Sequence, residues 1–91
     1  MTGEKIREVA IRYLKHLGEK NIFSCQCKDD WDPTYKPAAL KHCAYMCQRI
    51  VEFADERRTE KAFRWLGFVQ GVLWMCGEFT ITELKGHNRP K

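Results

Sequence analysis

Apolar positions recur along the first part of the chain with the period of an α-helix. Ile6, Val9, Ala10, Tyr13, Leu14 and Leu17 fall at i, i+3, i+4, i+7, i+8 and i+11, a single stripe of a 3.6-residue repeat. Glu4, Lys5, Arg7, Glu8, Arg12 and Lys15 lie mostly off it. Thr2 is placed to cap the start, and Gly18 to stop the helix in the left-handed conformation. The spacing predicts a helix over about 3–17. From Gly18 to Pro37 no period is sustained, and Asn21, Ser24, Asp29, Asp30, Asp32 and Pro33 mark a long loop. A loop of this length inside a compact domain is uncommon. Ile22, Phe23, Trp31 and Tyr35 are candidates to pin it to the core, and a bound metal is another way to hold it.

Pro37 suits the first turn of a second helix. Leu40, Cys43, Cys47, Ile50, Val51 and Ala54 then form an inward stripe, so a helix over about 38–54 is expected. The run 55–61 alternates in charge sign and reads as a solvated surface or turn. Thr59 is an expected N-cap for a third helix over about 60–76. Its core, Ala62 to Cys76, has eleven apolar residues in fifteen, with Arg64 and Gln70 as the polar exceptions. Surface helices normally keep one wet face. This one is apolar nearly all round, which predicts a central helix with a second chain helping to cover it. Gly77 follows at a C′ position. Thr80 and Glu83 then make a capping box, and Phe79 and Leu84 a hydrophobic staple. A short fourth helix over about 81–85 is expected, stopping by Gly86. No strand alternation or internal repeat is present. The expected class is all-α: one helical domain over 1–91, three main helices and a short fourth.

Composition changes this picture little. A 91-residue chain has a thin core, so a staple or a partner would help it. The net charge of +4 is mild and tolerates an anionic partner without demanding one. The N-terminus carries charges through its apolar positions, unlike a signal peptide. The apolar run at 62–76 is shorter than a bilayer span. These features point to a cytoplasmic protein without membrane attachment. Five cysteines, an odd number without an export signal, fit reduced thiols or a metal site better than a disulfide framework.

Candidate chemistry begins with those cysteines. Cys25 and Cys27 form C-x-C in the loop, while Cys43 and Cys47 lie one helical turn apart. Four thiolates would make a closed structural zinc site. The plainer reading is buried free thiols, because Cys43 and Cys47 fall on the apolar stripe. A Cys25 or Cys27 nucleophile with His16, His42 or His87 as base lacks any fixing motif, so no enzyme is expected. Asp29, Asp30 and Asp32 lack the glycine and distal glutamate of a calcium loop.

Gly67 and Gly71 make G-x-x-x-G in the third helix. Each glycine costs about 0.5–1 kcal/mol relative to alanine, which suggests a close helix contact. Phe63, Gly67, Gln70, Gly71 and Trp74 form the expected interface face, with Gln70 fixing register. A nucleic-acid reading would use Lys28, Lys36, Lys41, Arg57 and Arg58, with Trp31 and Tyr35 as stacking platforms.

The segment RWLGFVQGVLW, followed by Gly77, TITELK at 80–85 and HNR at 87–89, resembles a segment of small uncharacterised proteins of tailed bacteriophages and prophages. The resemblance covers roughly the C-terminal third and excludes the cysteine-bearing middle. It implies a phage accessory protein in a bacterial host cytoplasm and carries over no catalytic residue. The expected function is non-enzymatic: protein–protein interaction with an unknown host or phage protein, as a homo-oligomer. The alternative is a small basic nucleic-acid-binding protein, stapled by zinc.

Overall fold

A computed structural model of the chain describes residues 1–28, 30 and 35–90. Helices α1 (Gly3–Glu19), α2 (Lys36–Asp55), α3 (Thr59–Met75) and α4 (Ile81–Asn88) follow in order, and no strand occurs among the described residues. The fold is all-α, a small helical bundle with a short C-terminal helix. Thr2 caps α1 as its spacing predicts: its Oγ1 accepts from the Lys5 N–H at 3.1 Å.

Three helices end alike. The Ile22 N–H donates to the Leu17 carbonyl at 2.9 Å, and the Asn21 N–H to the Gly18 carbonyl at 3.0 Å. The left-handed residue is Asn21, at φ 60°. Gly18 is therefore not the stop expected of it. The double bond of this motif puts the left-handed residue beyond the last turn, and asparagine accepts that conformation. The α2 end repeats the pattern, with Arg58 N–H to the Phe53 carbonyl at 2.8 Å and Arg57 at φ 61°. Arg58 thereby becomes the N-cap of α3, without a side-chain bond, and Thr59 is already helical. Gly77, at φ 75°, closes α3 as its position predicts.

The capping box of α4 is formed. Thr80 Oγ1 accepts from the Glu83 N–H at 3.1 Å, and Glu83 Oε1 accepts from the Thr80 N–H at 3.0 Å. The helix continues past Gly86 to Asn88. Its end comes at Arg89, whose extended backbone (ψ 141°) is what a following proline imposes.

The middle position of the bundle belongs to α2. It packs extensively on both α1 and α3, which meet each other over a much smaller area, while α4 rests mainly on α1. Leu40, Cys43, Cys47, Ile50 and Phe53 of α2 meet Ile6, Val9, Tyr13 and Leu17 of α1 and Ala62, Leu66, Val69 and Leu73 of α3 in one core. The central place expected for α3 is thus overturned. Only one stripe of α3 is buried, and its opposite face is bare.

The loop before α2 is tied to it through the Cys25 N–H, which donates to the Lys41 carbonyl at 3.2 Å, and the Cys27 N–H, which donates to His42 Nδ1 at 3.0 Å. Ile22 packs on the core. Phe23 and Tyr35 do not, being exposed; Trp31 lies outside the described residues.

The left-handed positions make a paired test. Arg57→Gly removes a side chain from a conformation that disfavours it and is expected to raise stability by up to about 1 kcal/mol. Gly77→Ala should lower it by about 1 kcal/mol. Urea unfolding followed by circular dichroism measures both.

Candidate functional site

The buried stripe of α3 leaves its other side free. Phe63, Phe68, Trp74 and Met75 are 48%, 58%, 51% and 75% exposed. Isolated exposed apolar residues need no explanation, but a contiguous group on one helix marks an interaction surface. Gly67 and Gly71 lie among them, and a Cβ added at either would meet no atom of the described residues within 4 Å apart from its chain neighbours and its own helix backbone. No helix contact among the described residues accounts for the two glycines. At the C-terminal end of this face, α4 and α3 enclose an open groove lined by Gly71, Trp74, Ile81, Leu84, Lys85 and Asn88. Ile81 adds a further half-exposed apolar side chain there.

Of the expected interface residues, Phe63, Gly67, Gly71 and Trp74 stand together on the exposed face. Gln70 has another occupation. Its Nε2 donates to Tyr13 Oη at 3.0 Å and to Asn88 Oδ1 at 2.7 Å, and its Oε1 accepts from Asn88 Nδ2 at 3.0 Å. It is satisfied inside the chain and is not waiting for a partner to set register. Tyr13 Oη lies 2.8 Å from His87 Nδ1. The hydroxyl accepts from Gln70 and keeps its own proton to give to His87 Nδ1 in the tautomer that carries the imidazole proton on Nε2. Burial pushes the Tyr13 hydroxyl up to about 12, which keeps it protonated and able to donate.

This chain of bonds links α1, α3 and α4. Phe79 completes it, with its ring 4.6 Å from that of His16, 4.8 Å from His87 and 5.5 Å from Tyr13. Next to it, Glu78 Oε1 accepts from Lys20 Nζ at 2.7 Å and meets His16 Nε2 at 2.9 Å. Burial opposes the Glu78 charge, but these two partners prevail and hold its carboxyl below the usual range. Sequence spacing offered no route to the network, because its partners are 18 to 74 residues apart.

The cysteines do not converge on a metal. Among the described residues no three His, Cys, Asp or Glu side chains are placed to share an ion, so Cys25, Cys27, Cys43 and Cys47 form no tetrahedral donor set. Cys25 is exposed in the loop, whereas Cys43 and Cys47 are sealed in the core. Burial raises the Cys43 thiol to about 12 and the Cys47 thiol further. Both are held as neutral thiols at physiological pH by burial, which does not suit a nucleophile. His42 meets the Cys27 backbone N–H, and the Cys27 thiol points to the Ala38 carbonyl at 3.9 Å, so no thiol–imidazole pair is made there. Asp29 and Asp32 lie outside the described residues.

The basic set expected for nucleic acid is divided. Lys28, Tyr35, Lys36 and Lys41 are exposed near the start of α2, and Arg57 and Arg58 follow its end. From Lys41, in the second turn of α2 (Lys36–Asp55), to Arg57 beyond its end the helix rises about 24 Å. Arg58 is also engaged by the Phe53 ring at 5.0 Å and by Glu56 at 3.8 Å. Trp31, the second stacking candidate, lies outside the described residues.

Comparison with models of protein families, with curated proteins and with solved structures finds no match to the chain. No helix among the described residues is long and apolar enough to cross a membrane.

The network and the thiols each give a prediction. Tyr13→Phe strips both Gln70 and His87 of a buried partner and is expected to cost about 1–3 kcal/mol. The His87 pKa is lowered by burial, then by Arg12, with His16 and Lys5 of α1 adding to the effect and Glu83 of α4 opposing it. The fold therefore holds the neutral ring. Its stabilising contribution is complete above the ordinary value of 6.5 and is lost as pH falls below it. Thermal unfolding should show a midpoint that declines on acidification from neutrality, with a smaller decline in His87→Gln. A thiol-reactive chromophore should label Cys25 rapidly in the folded chain, and Cys43 and Cys47 only after denaturation.

Proposed function

We propose that this chain is a non-enzymatic interaction protein that pairs with a second copy of itself through the outer face of α3. The observation that carries this is the company of four exposed large apolar side chains with two glycines that no described residue covers. The helix holds both halves of a contact, the bulky side chains and the gap that could receive them. Phe63 precedes the glycine pair by four residues and Trp74 follows it by three. Two copies crossing antiparallel at the glycines would bring Phe63 of each towards Trp74 of the other. That is the self-complementarity a two-fold contact requires. Glu60 and Arg64 lie on this face and are paired with each other at 3.4 Å, so neither has to be buried alone.

The paired copies would act as an accessory protein of the tailed-phage kind, in a bacterial cytoplasm, holding a host or phage protein. The resemblance of the C-terminal third supports this setting. The absence of a sulfur cluster suited to zinc and the division of the basic set leave the protein-interaction reading better supported than the nucleic-acid one.

Light scattering across a concentration series tests the pairing. The native chain is expected to approach twice its monomer mass as concentration rises into the micromolar range. Gly71→Leu should remain monomeric, yet unfold at equal or higher denaturant, because a glycine inside a helix costs about 1 kcal/mol relative to better helix formers and a Cβ at this position meets no atom of the described residues within 4 Å outside its own helix. A native chain that stays monomeric throughout would overturn the reading.

A further inference from the structure

A second groove runs along the other side of α4, against α1. Lys5, Arg12 and Lys15 line it, with Glu8 and Val9, and His87 closes one wall. Lys5, Glu8, Arg12 and Lys15 stand at i, i+3, i+7 and i+10, one face of α1. The Lys5 side chain is largely covered, at 15% exposed, and reaches Glu8 at 3.4 Å. Arg12 and Lys15 are exposed. Glu83 of α4 accepts from the Thr80 N–H and feels the charge of Arg12 and His87. The groove lining itself sets three cationic side chains against one carboxylate, Glu8.

His87 is what distinguishes this groove from an ordinary solvated helix face. The residue is only 7% exposed. Its Nδ1 is occupied by Tyr13, and its Nε2 has no hydrogen-bond partner among the described residues. No polar side-chain atom of the described residues is both sealed and unpaired, so Nε2 is not sealed from solvent, and His87 lines the groove. A Tyr13 hydroxyl that donates to Nδ1 leaves the ring proton on Nε2. In that tautomer His87 adds an N–H donor to three cationic side chains.

We propose that the α1–α4 groove is an oxyanion site that takes a phosphate group. Lys5, Arg12 and Lys15 supply charge-assisted hydrogen bonds, and His87 Nε2–H supplies a directed neutral one. Divided charge of this kind suits a tetrahedral anion with several acceptor oxygens better than chloride, which has no directional demand. The phosphate can belong to a free phosphate ester or to a nucleic-acid backbone. The site is independent of the pairing face, since α4 turns His87 to this groove and Ile81, Lys85 and Asn88 to the other.

The test is a nuclear magnetic resonance titration of the full chain, isotopically labelled, at neutral pH. The probes are inorganic phosphate and a short mixed-sequence single-stranded oligonucleotide, with chloride at matched ionic strength as control. Phosphate is expected to shift the His87 ring and Arg12 side-chain signals saturably. Arg12→Gln, at an exposed position, should keep the remaining spectrum and bind about tenfold more weakly, the loss of one charge-assisted contact. Lys36→Gln, at the start of α2, should bind as the native chain does. An oligonucleotide that moves the same signals at lower concentration identifies the backbone as the source, and saturation by phosphate alone identifies a free ester. Three results would overturn the site: no saturable shift with either probe, equal binding by Arg12→Gln, or a His87 proton found on Nδ1.

Discussion

The hydroxyl of Tyr13 is the point on which the positions of three helices depend. It sits on the inward stripe of α1, accepts from Gln70 of α3 and reaches His87 of α4. Helix α4 buries only Leu84 and His87, too little apolar area to fix eight residues by burial alone. Directional bonds complete the work. Gln70 and Asn88 exchange amide bonds in both directions, and no sealed side-chain polar atom among the described residues lacks a partner, so the desolvation cost is offset. Both grooves are consequences, because each has α4 as one wall.

A second constraint is geometric. Three long helices in a chain of this size have one middle place between them, and α2 occupies it. The outer helices can then each bury a single stripe. For α1 that nearly suffices, since most of its remaining positions are charged and Ile11 is its one exposed large apolar side chain among the described residues. For α3 it does not, because apolar residues extend well beyond the stripe. Phe63, Phe68, Trp74 and Met75 remain in water, where each large side chain forgoes about 1.5–3 kcal/mol of burial. The glycines sharpen the point. Helix interiors disfavour them, and here they relieve no crowding inside the chain.

Much of this was legible in the residues, and the failures have physical reasons. Periodicity located α1, α2 and α3, and local capping chemistry located the start of α4 and the stop at Gly77. These depend on neighbours within one or two turns. Gly18 and Thr59 were misread because the stop motif places its left-handed residue by backbone bonding, and Asn21 and Arg57 bear that conformation. Periodicity measures how wide an apolar face is, and not which helix covers it, so α3 was given the place that α2 holds. The face of Phe63, Gly67, Gly71 and Trp74 was legible as a set, but Gln70 was not, since its partners come from distant chain. The basic residues Lys28, Lys36, Lys41, Arg57 and Arg58 look like one group in composition and are parted by the length of a helix. Lys5, Arg12 and Lys15 show a helical period, yet only the docking of α4 against them turns a solvated face into a groove.

His87 joins the interior to that groove because of what imidazole is. In its neutral form one ring nitrogen accepts while the other donates, from opposite sides of a rigid ring. A hydroxyl or an ammonium in its place could not both receive the Tyr13 proton and present a fixed N–H outward. A primary amide could match the two functions but not their separation across a flat aromatic ring, which also packs edge-on against Phe79. The same imidazole thus serves the hold on α4 and the lining of the groove, and removing it disturbs both. Arg12 stands outside the interior network, on the exposed side of α1. Its charge bears on the groove without carrying any part of the packing, and the two roles of this corner of the molecule separate there.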